Sequence, residues 1–160
     1  MSRTGIGYDS HRFAPGGPLR LGGIDIPAEQ HLTGHSDADA VCHALTDAVL
    51  GAVGAGDVGT LFPDHEAVNK GRDSIEMLSI AVDRVFSGGW RVESCDVTVI
   101  CEQPKIGPHR DAMCERLAHA LRVKAGHVSV KGKTNEGMGW IGRREGLAVL
   151  AVATLVPRNS

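Results

Sequence analysis

The run Leu147-Ala148-Val149-Leu150-Ala151-Val152-Ala153-Thr154-Leu155-Val156 is apolar except at Thr154. A strand with one wet face alternates apolar and polar residues, so this run predicts a strand covered on both faces. Upstream of it, residues 128–134 read as a second strand. Residues 90–101 read as a third, with Val97, Val99 and Cys101 on one face, and residues 3–8 as a short fourth. Residues 19–26 hold two short alternating runs joined by Gly22-Gly23, a hairpin signal. A helix begins near Ser36, with Asp39 three residues on as in a capping box, and carries the stripe Val41, Leu45, Ala48, Val49, Ala52. A second runs over 73–87 on Ile75, Leu78, Val82 and Val85 and stops at Gly88-Gly89. A third begins near Pro108 and carries Met113, Leu117 and Leu121. No linker, repeat or low-complexity stretch divides these elements. They predict one domain over 1–160, an α+β two-layer sandwich with helices packed on one face of a mixed sheet. The other face then needs a cover, and oligomer packing is expected to supply it.

A chain of 160 residues with 42% hydrophobic and 22% charged residues has room for a real core. A formal net charge of −2 gives no basic field for nucleic acid. No signal-like or transit-like leader and no apolar run of membrane-spanning length is present, so a cytoplasmic protein without membrane contact is expected. Cys42, Cys95, Cys101 and Cys114 lack C-x-x-C spacing and read as reduced, mostly buried thiols.

Two short motifs carry the chemistry. Gly5-Ile6-Gly7-Tyr8-Asp9-Ser10-His11-Arg12-Phe13 holds Asp9 and His11 two apart, on the same side of an extended segment. His35-Ser36-Asp37-Ala38-Asp39-Ala40-Val41-Cys42-His43 ends on a histidine about 200° around the helix from Val41, away from the core stripe. Alone, His43 would read as an incidental residue on a solvated face. With Asp9 and His11 it completes a carboxylate and two imidazoles, the ligand set of a catalytic zinc site with one position open. Asp47 shares the His43 face and offers to orient its ring. Ser36 reads as the helix N-cap, and His35 beside it is placed to meet a phosphate at free helix N–H groups. Gly56-Asp57-Val58-Gly59 followed by Phe62-Pro63-Asp64-His65-Glu66 is a glycine-flanked acidic loop, a plain turn on composition alone. The segment 103–109 joins a strand to a helix, stiffened by Pro104 and Pro108, and Lys105 is placed to meet a phosphate, although a surface lysine is the commoner explanation. The segment 131–139 enters a glycine-rich loop whose lysines, Thr134 and amides suit a diphosphate, with Glu136 available to a hard cation. Its spacing is not that of a Walker loop.

In this order, Gly-x-Asp-x-His, His-Ser-Asp-x-Asp…His-Ala-Leu-x-Asp-Ala, Gly-Asp-x-Gly…Phe-Pro-Asp, Pro-Lys and Lys-x-x-Thr-x-Glu…Gly-Arg-x-Glu-Gly run across almost the whole chain. The pattern closely resembles the 2-C-methyl-D-erythritol 2,4-cyclodiphosphate synthase family of the non-mevalonate isoprenoid pathway. That resemblance implies a homotrimer with sites at subunit interfaces, acting on a CDP-methylerythritol phosphate and releasing CMP. It puts zinc, or another divalent cation, on Asp9, His11 and His43, and a magnesium or manganese bridging the diphosphate on Glu136. It makes His35 and Thr134 the transition-state contacts. Its methylerythritol phosphate region maps to Ser36, Asp57, Val58, Gly59, Phe62, Pro63, Asp64, His65 and Glu66. Its cytidine phosphate region maps to Cys101, Glu102, Gln103, Pro104, Lys105, Ile106, Gly107, Lys133 and Asn135, with Trp140 and Arg143 at further binding positions. The chain departs from the pattern at Lys133 and Asn135, where many members have threonines, and at Tyr8 and Trp140, where phenylalanines are commoner. Two rivals are a zinc phosphohydrolase using the same triad to activate water and a zinc-stabilised binding module. A structural zinc site would use four protein ligands, usually cysteine-rich, which the thiol spacing does not provide.

Overall fold

The computed structural model of the chain describes residues 1–159. Its strands are β1 (Arg3–Pro15), β2 (Leu19–Leu21), β3 (Ile24–Ile26), β4 (Gln30–Leu32), β5 (Trp90–Ile100), β6 (Val128–Lys133) and β7 (Gly146–Pro157). Its helices are α1 (Ala40–Ala52), the one-turn α2 (Val58–Leu61), α3 (Ser74–Ser87), α4 (Arg110–Leu121) and the one-turn α5 (Gly139–Gly142). The main sheet runs β4-β1-β7-β5-β6; only the β5/β6 pair is parallel. β2 and β3 form the expected hairpin, with Gly22 (φ 63°) and Gly23 (φ 74°) both in the left-handed region that a two-residue turn of this kind demands.

Helices α1, α3 and α4 cover one face of the sheet, as the two-layer expectation requires. Alternation along β1 sends Gly5, Gly7, Asp9 and His11 toward the helices and Ile6, Tyr8 and Ser10 away. The two glycines let α1 lie against the strand. A Cβ on Gly5 would come 2.0 Å from Ala48 O, and one on Gly7 1.8 Å from Ala44 O. Small residues on both sides of this contact bring the helix down beside the next inward positions, Asp9 and His11.

Three expectations change. β1 continues through the Asp-x-His motif to Pro15, because β7 pairs with it as far as Arg12 and its last three residues pair with β4, a strand too short to leave a periodic signal. α1 starts at Ala40, not near Ser36. Its cap is the fully buried Asp39, whose Oδ1 accepts from Cys42 N (3.1 Å) and Gly22 N (2.9 Å), and Oδ2 from Gly23 N (2.7 Å). One carboxylate thus starts the helix and fastens the β2–β3 turn, and its burial is matched by three amide donors. α1 is also buried nearly all round rather than on one stripe, since α3 flanks it. On β7, Leu147, Val149, Ala151, Ala153 and Leu155 are enclosed by the chain itself, whereas Leu150 is 41% and Val152 38% exposed on the face for which a cover from outside the chain is expected. Opposite them on β1 lie Tyr8 (54%) and Ile6 (70%), so the sheet presents an apolar face to the outside of the single chain. No helix among the described residues is long and apolar enough to cross a membrane.

Candidate active site

The inward alternation of β1 and the first turn of α1 bring three donor atoms together. Asp9 Oδ2 lies 2.8 Å from His11 Nε2 and 3.1 Å from His43 Nδ1, and the two imidazole nitrogens are 3.3 Å apart. Tetrahedral coordination at about 2.0–2.1 Å puts ligand atoms about 3.3 Å from one another, so this triangle fits a small divalent cation with little adjustment. It is a candidate metal site of one carboxylate and two imidazoles. His11 Nδ1 donates to Thr33 O at 2.8 Å, so Nε2 is the nitrogen left to donate to Asp9 when the ring is protonated, or to offer its lone pair to a cation when it is neutral. On its far side, His43 Nε2 meets Ser74 Oγ (2.8 Å) and Ser36 Oγ (3.0 Å).

Burial raises the Asp9 carboxyl, but hydrogen bonds from His11 and His43 outweigh it and hold the group below the usual carboxylate range. Burial likewise lowers His11, and the bond and charge of Asp9 outweigh it, leaving the imidazole above its ordinary value. Asp47 does not orient His43. Its Oδ1 accepts from Val58 N at 2.7 Å and so fixes the start of α2; burial pushes this carboxyl up.

Beside the triad is a cavity of ≈ 200 Å³. His35, Ser36, Val58, Gly59, Phe62 and Asp64 line it together with His11 and His43. Ser36 is not a helix cap here; its hydroxyl accepts weakly from Ala38 N at 3.3 Å and faces His43. His35, exposed, precedes the helix by a bend, and its carbonyl receives Gly71 N. Asp57 caps α2 by accepting from Thr60 N (2.7 Å) and Thr60 Oγ1 (2.8 Å), bonds that hold its carboxyl low. Pro63, His65 and Glu66 fall outside the lining; Pro63 O accepts from the buried Asn69 amide, which braces the loop.

Seven of the other predicted residues, Cys101, Pro104, Lys105, Ile106, Gly107, Lys133 and Thr134, line a separate groove of ≈ 470 Å³ at the ends of β5 and β6, with Arg110 and Lys131. Gly132 lets Ile106 form its floor, since a Cβ there would sit 2.7 Å from Ile106 Cβ. Glu102 does not line the groove: its Oε1 accepts from Asn135 N (3.2 Å) and Gly137 N (2.9 Å) and anchors the glycine-rich loop. Asn135 spends its amide on Met138 O (2.8 Å). Thr134 Oγ1 and Glu136 Oε1 are 3.4 Å apart on this loop, with Glu136 at φ 53°. Gln103, Trp140 and Arg143 lie outside the groove; Arg143 pairs with Glu145 at 2.9 Å. The aligned row Ser10–Ala148–Ile100–Lys133 puts β1 and β6 three strand spacings apart, about 14 Å. Within one chain the groove and the metal cleft therefore share an end of the sheet without meeting.

Sequence reasoning missed Ser74, Thr33 and the structural use of Asp37 and Asp39. Ser74 reads only as the first residue of α3, and nothing in spacing links it to His43, 31 positions earlier.

The model of the YgbB family matches residues 2–156. A 2-C-methyl-D-erythritol 2,4-cyclodiphosphate synthase of Gemmatimonas aurantiaca is 64% identical over 100% of this chain and 96% of its own length. One of Symbiobacterium thermophilum is 49% identical over 96% of this chain and 98% of its own. Among solved structures, a CDP-bound 2C-methyl-D-erythritol-2,4-cyclodiphosphate synthase superposes with a TM-score of 0.89 at 37% identity, covering 96% of this chain and all of that one. A CDP complex from Plasmodium falciparum superposes at 0.86 and 32% identity, covering 99% and 97%. With a family match over nearly the whole sequence and relatives this similar from end to end, the chain belongs to the YgbB family.

Proposed function

We propose that this enzyme converts 4-CDP-2-C-methyl-D-erythritol 2-phosphate to 2-C-methyl-D-erythritol 2,4-cyclodiphosphate and CMP, in the non-mevalonate isoprenoid pathway. The observation that carries the reading is the convergence of Asp9 Oδ2, His11 Nε2 and His43 Nδ1 in a chain whose end-to-end relatives bear that synthase name. An oxygen of the 2-phosphate attacks the β-phosphorus, the bond from that phosphorus to the bridging oxygen breaks, and CMP leaves with that oxygen. The substrate carries its own nucleophile, so the protein's task is positioning and charge neutralisation. No cysteine is suited to attack: burial pushes the Cys95 thiol up to about 12 and the Cys101 thiol up to about 11.

We assign Asp9, His11 and His43 to zinc or another divalent cation, and Glu136 to magnesium or manganese. What such cations supply is Lewis-acid polarisation of phosphoryl oxygens and neutralisation of the diphosphate. His35 and Thr134 face the reacting phosphates in this reading. Ser36, Val58, Gly59, Phe62 and Asp64 hold the methylerythritol phosphate, and the resemblance adds Asp57, Pro63, His65 and Glu66. The groove from Cys101 to Gly107, with Lys133 and Thr134, takes the cytidine and its phosphates. No aromatic side chain lines it, so the base is read by backbone N–H and C=O groups, while Lys105, Arg110 and Lys133 supply positive charge.

The whole of 1–160 is one synthase domain in this reading, working as a homotrimer in the cytoplasm. Two observations support sites shared between copies. The sheet's outer face exposes Ile6, Tyr8, Leu150 and Val152, a patch of the kind that marks an interface. And the roughly 14 Å between β1 and β6 leaves Thr134 too far from the triad for one diphosphate to be worked on by both within a chain.

Phosphorus NMR of the purified protein with the CDP-linked 2-phosphate tests the reading. A cyclic diphosphate with equimolar CMP is expected. An opened monophosphate would instead identify a hydrolase.

A further inference from the structure

We infer that Ser74 and Asp37 form a positioning chain that fixes which ring nitrogen of His43 is presented to the metal; the inference rests on the metal assignment above. A neutral imidazole has one N–H and one lone pair, and only the lone pair serves a cation. Nδ1 of His43 faces the triad, while Nε2 faces Ser74 Oγ at 2.8 Å. A serine hydroxyl has a single proton. That of Ser74 goes to Asp37 Oδ1, a carboxylate oxygen that can only accept. Ser74 Oγ is therefore left as an acceptor for His43 Nε2–H, which frees the Nδ1 lone pair for a cation held between Asp9 Oδ2, His11 Nε2 and His43 Nδ1.

Asp37 is held for this task. Its Oδ1 also accepts from Asp39 N (3.1 Å), its Oδ2 accepts from Ser74 N (3.0 Å), and Arg20 Nε stands 3.8 Å from Oδ2. Ser74 is fully buried, so water has no ready access to replace it. The two ligand histidines are thus secured differently. His11 uses the backbone carbonyl of Thr33, which no side-chain substitution removes, whereas His43 depends on a side chain from α3. Ser36 Oγ also reaches Nε2, at 3.0 Å, and stands 3.4 Å from Ser74 Oγ, but it lines the cleft, where a bound ligand competes for its proton. Ser74 serves the metal side and Ser36 the substrate side.

The test measures zinc affinity of the purified holoenzyme by competition with a chromophoric chelator. Ser74→Ala keeps the Asp73 cap of α3 and the Asp37–Ser74 N bond, and should weaken zinc binding about 10–100-fold. Asp37→Asn can no longer accept from Asp39 N, Ser74 N and the Ser74 hydroxyl together, so it loosens the chain and should weaken zinc binding as well. The double variant should be no worse than the poorer single one, since both act through one chain. Ser36→Ala should raise the substrate KM while leaving zinc affinity unchanged. Zinc binding within twofold of the parent in folded Ser74→Ala and Asp37→Asn proteins overturns the inference. A parent protein that binds no zinc overturns the metal assignment instead. Independently of any substitution, 15N-histidine NMR of the zinc-loaded parent should show a proton on His43 Nε2 with slow solvent exchange; rapid exchange would also overturn the inference.

Discussion

The metal cleft and the cationic groove stand at the same end of one sheet, yet they are built in opposite ways. Asp9 and His11 project from the middle of a long strand, and His43 from the first turn of a buried helix. Their side chains are 16%, 11% and 24% exposed for His11, His43 and Asp9, and each is hydrogen-bonded. The groove is made of loop ends, exposed lysines and a glycine-rich turn held chiefly by Glu102. A cation needs donor atoms placed to a few tenths of an ångström, which regular elements provide. A nucleotide is a larger, flexible charged body that adaptable backbone and long cations can follow. Within one chain the two regions stay apart, and the proposed reading lets another copy bring them together.

His43→Ala strikes hardest at that contrast. It should remove the bound metal and lower turnover on the order of 10³-fold or more, with the fold intact, as seen by metal analysis, assay and circular dichroism. Full metal content would remove His43 from the site. Mixing inactive Asp9→Ala subunits with inactive Glu136→Ala subunits should restore part of the activity, because some shared sites then carry both intact halves. A mixture as dead as its components would confine each site to one chain. Thr134→Val, on the groove side, should cost about 10²–10³ in turnover while CMP binding changes far less. Abolished CMP binding with turnover of saturating substrate intact would reverse that role.

Gly7→Ala probes how the cleft is supported. The added Cβ meets the Ala44 carbonyl rather than a movable side chain, so α1 must lift. Thermal unfolding should show a loss of about 1–3 kcal/mol, and zinc affinity should fall with it. An unchanged melting curve would mean the helix seat is looser than its geometry.

The mildest consequence is in pH. Asp9 has a lowered folded pKa, so its stabilisation is present above the unfolded value and disappears as pH falls through the folded one. His11 has a raised folded pKa, so its contribution is present below the unfolded value and disappears as pH rises through the folded one. The metal-free pair is therefore worth most between about pH 4 and 6.5. Zinc requires neutral imidazoles, so the gap in melting temperature between zinc-loaded and zinc-free protein should widen from pH 5.5 to 8. A constant gap would deny that protons and metal compete for His11.

Much of this architecture is legible in the order of the residues alone. Alternation puts Asp9 and His11 on one side of a strand, and helical spacing lifts His43 off the Val41 stripe. Gly22-Gly23 announces its turn, and the stripes of α3 and α4 fall where the helices form. These signals live within a few residues, where backbone geometry dictates which side chains share a face. Packing between distant segments settles the rest. Asp39 displaces Ser36 as the cap because it also captures the distant Gly22 and Gly23 amides. Asp47 turns to Val58, and Glu102 to the glycine-rich loop. The apolar run of β7 says that both faces avoid water, and the tertiary structure shows which of them the chain itself covers. The partner of His43 on α3, and the separation of the groove from the cleft, depend on which elements pack side by side. Such contacts join residues tens of positions apart and leave no period in the sequence.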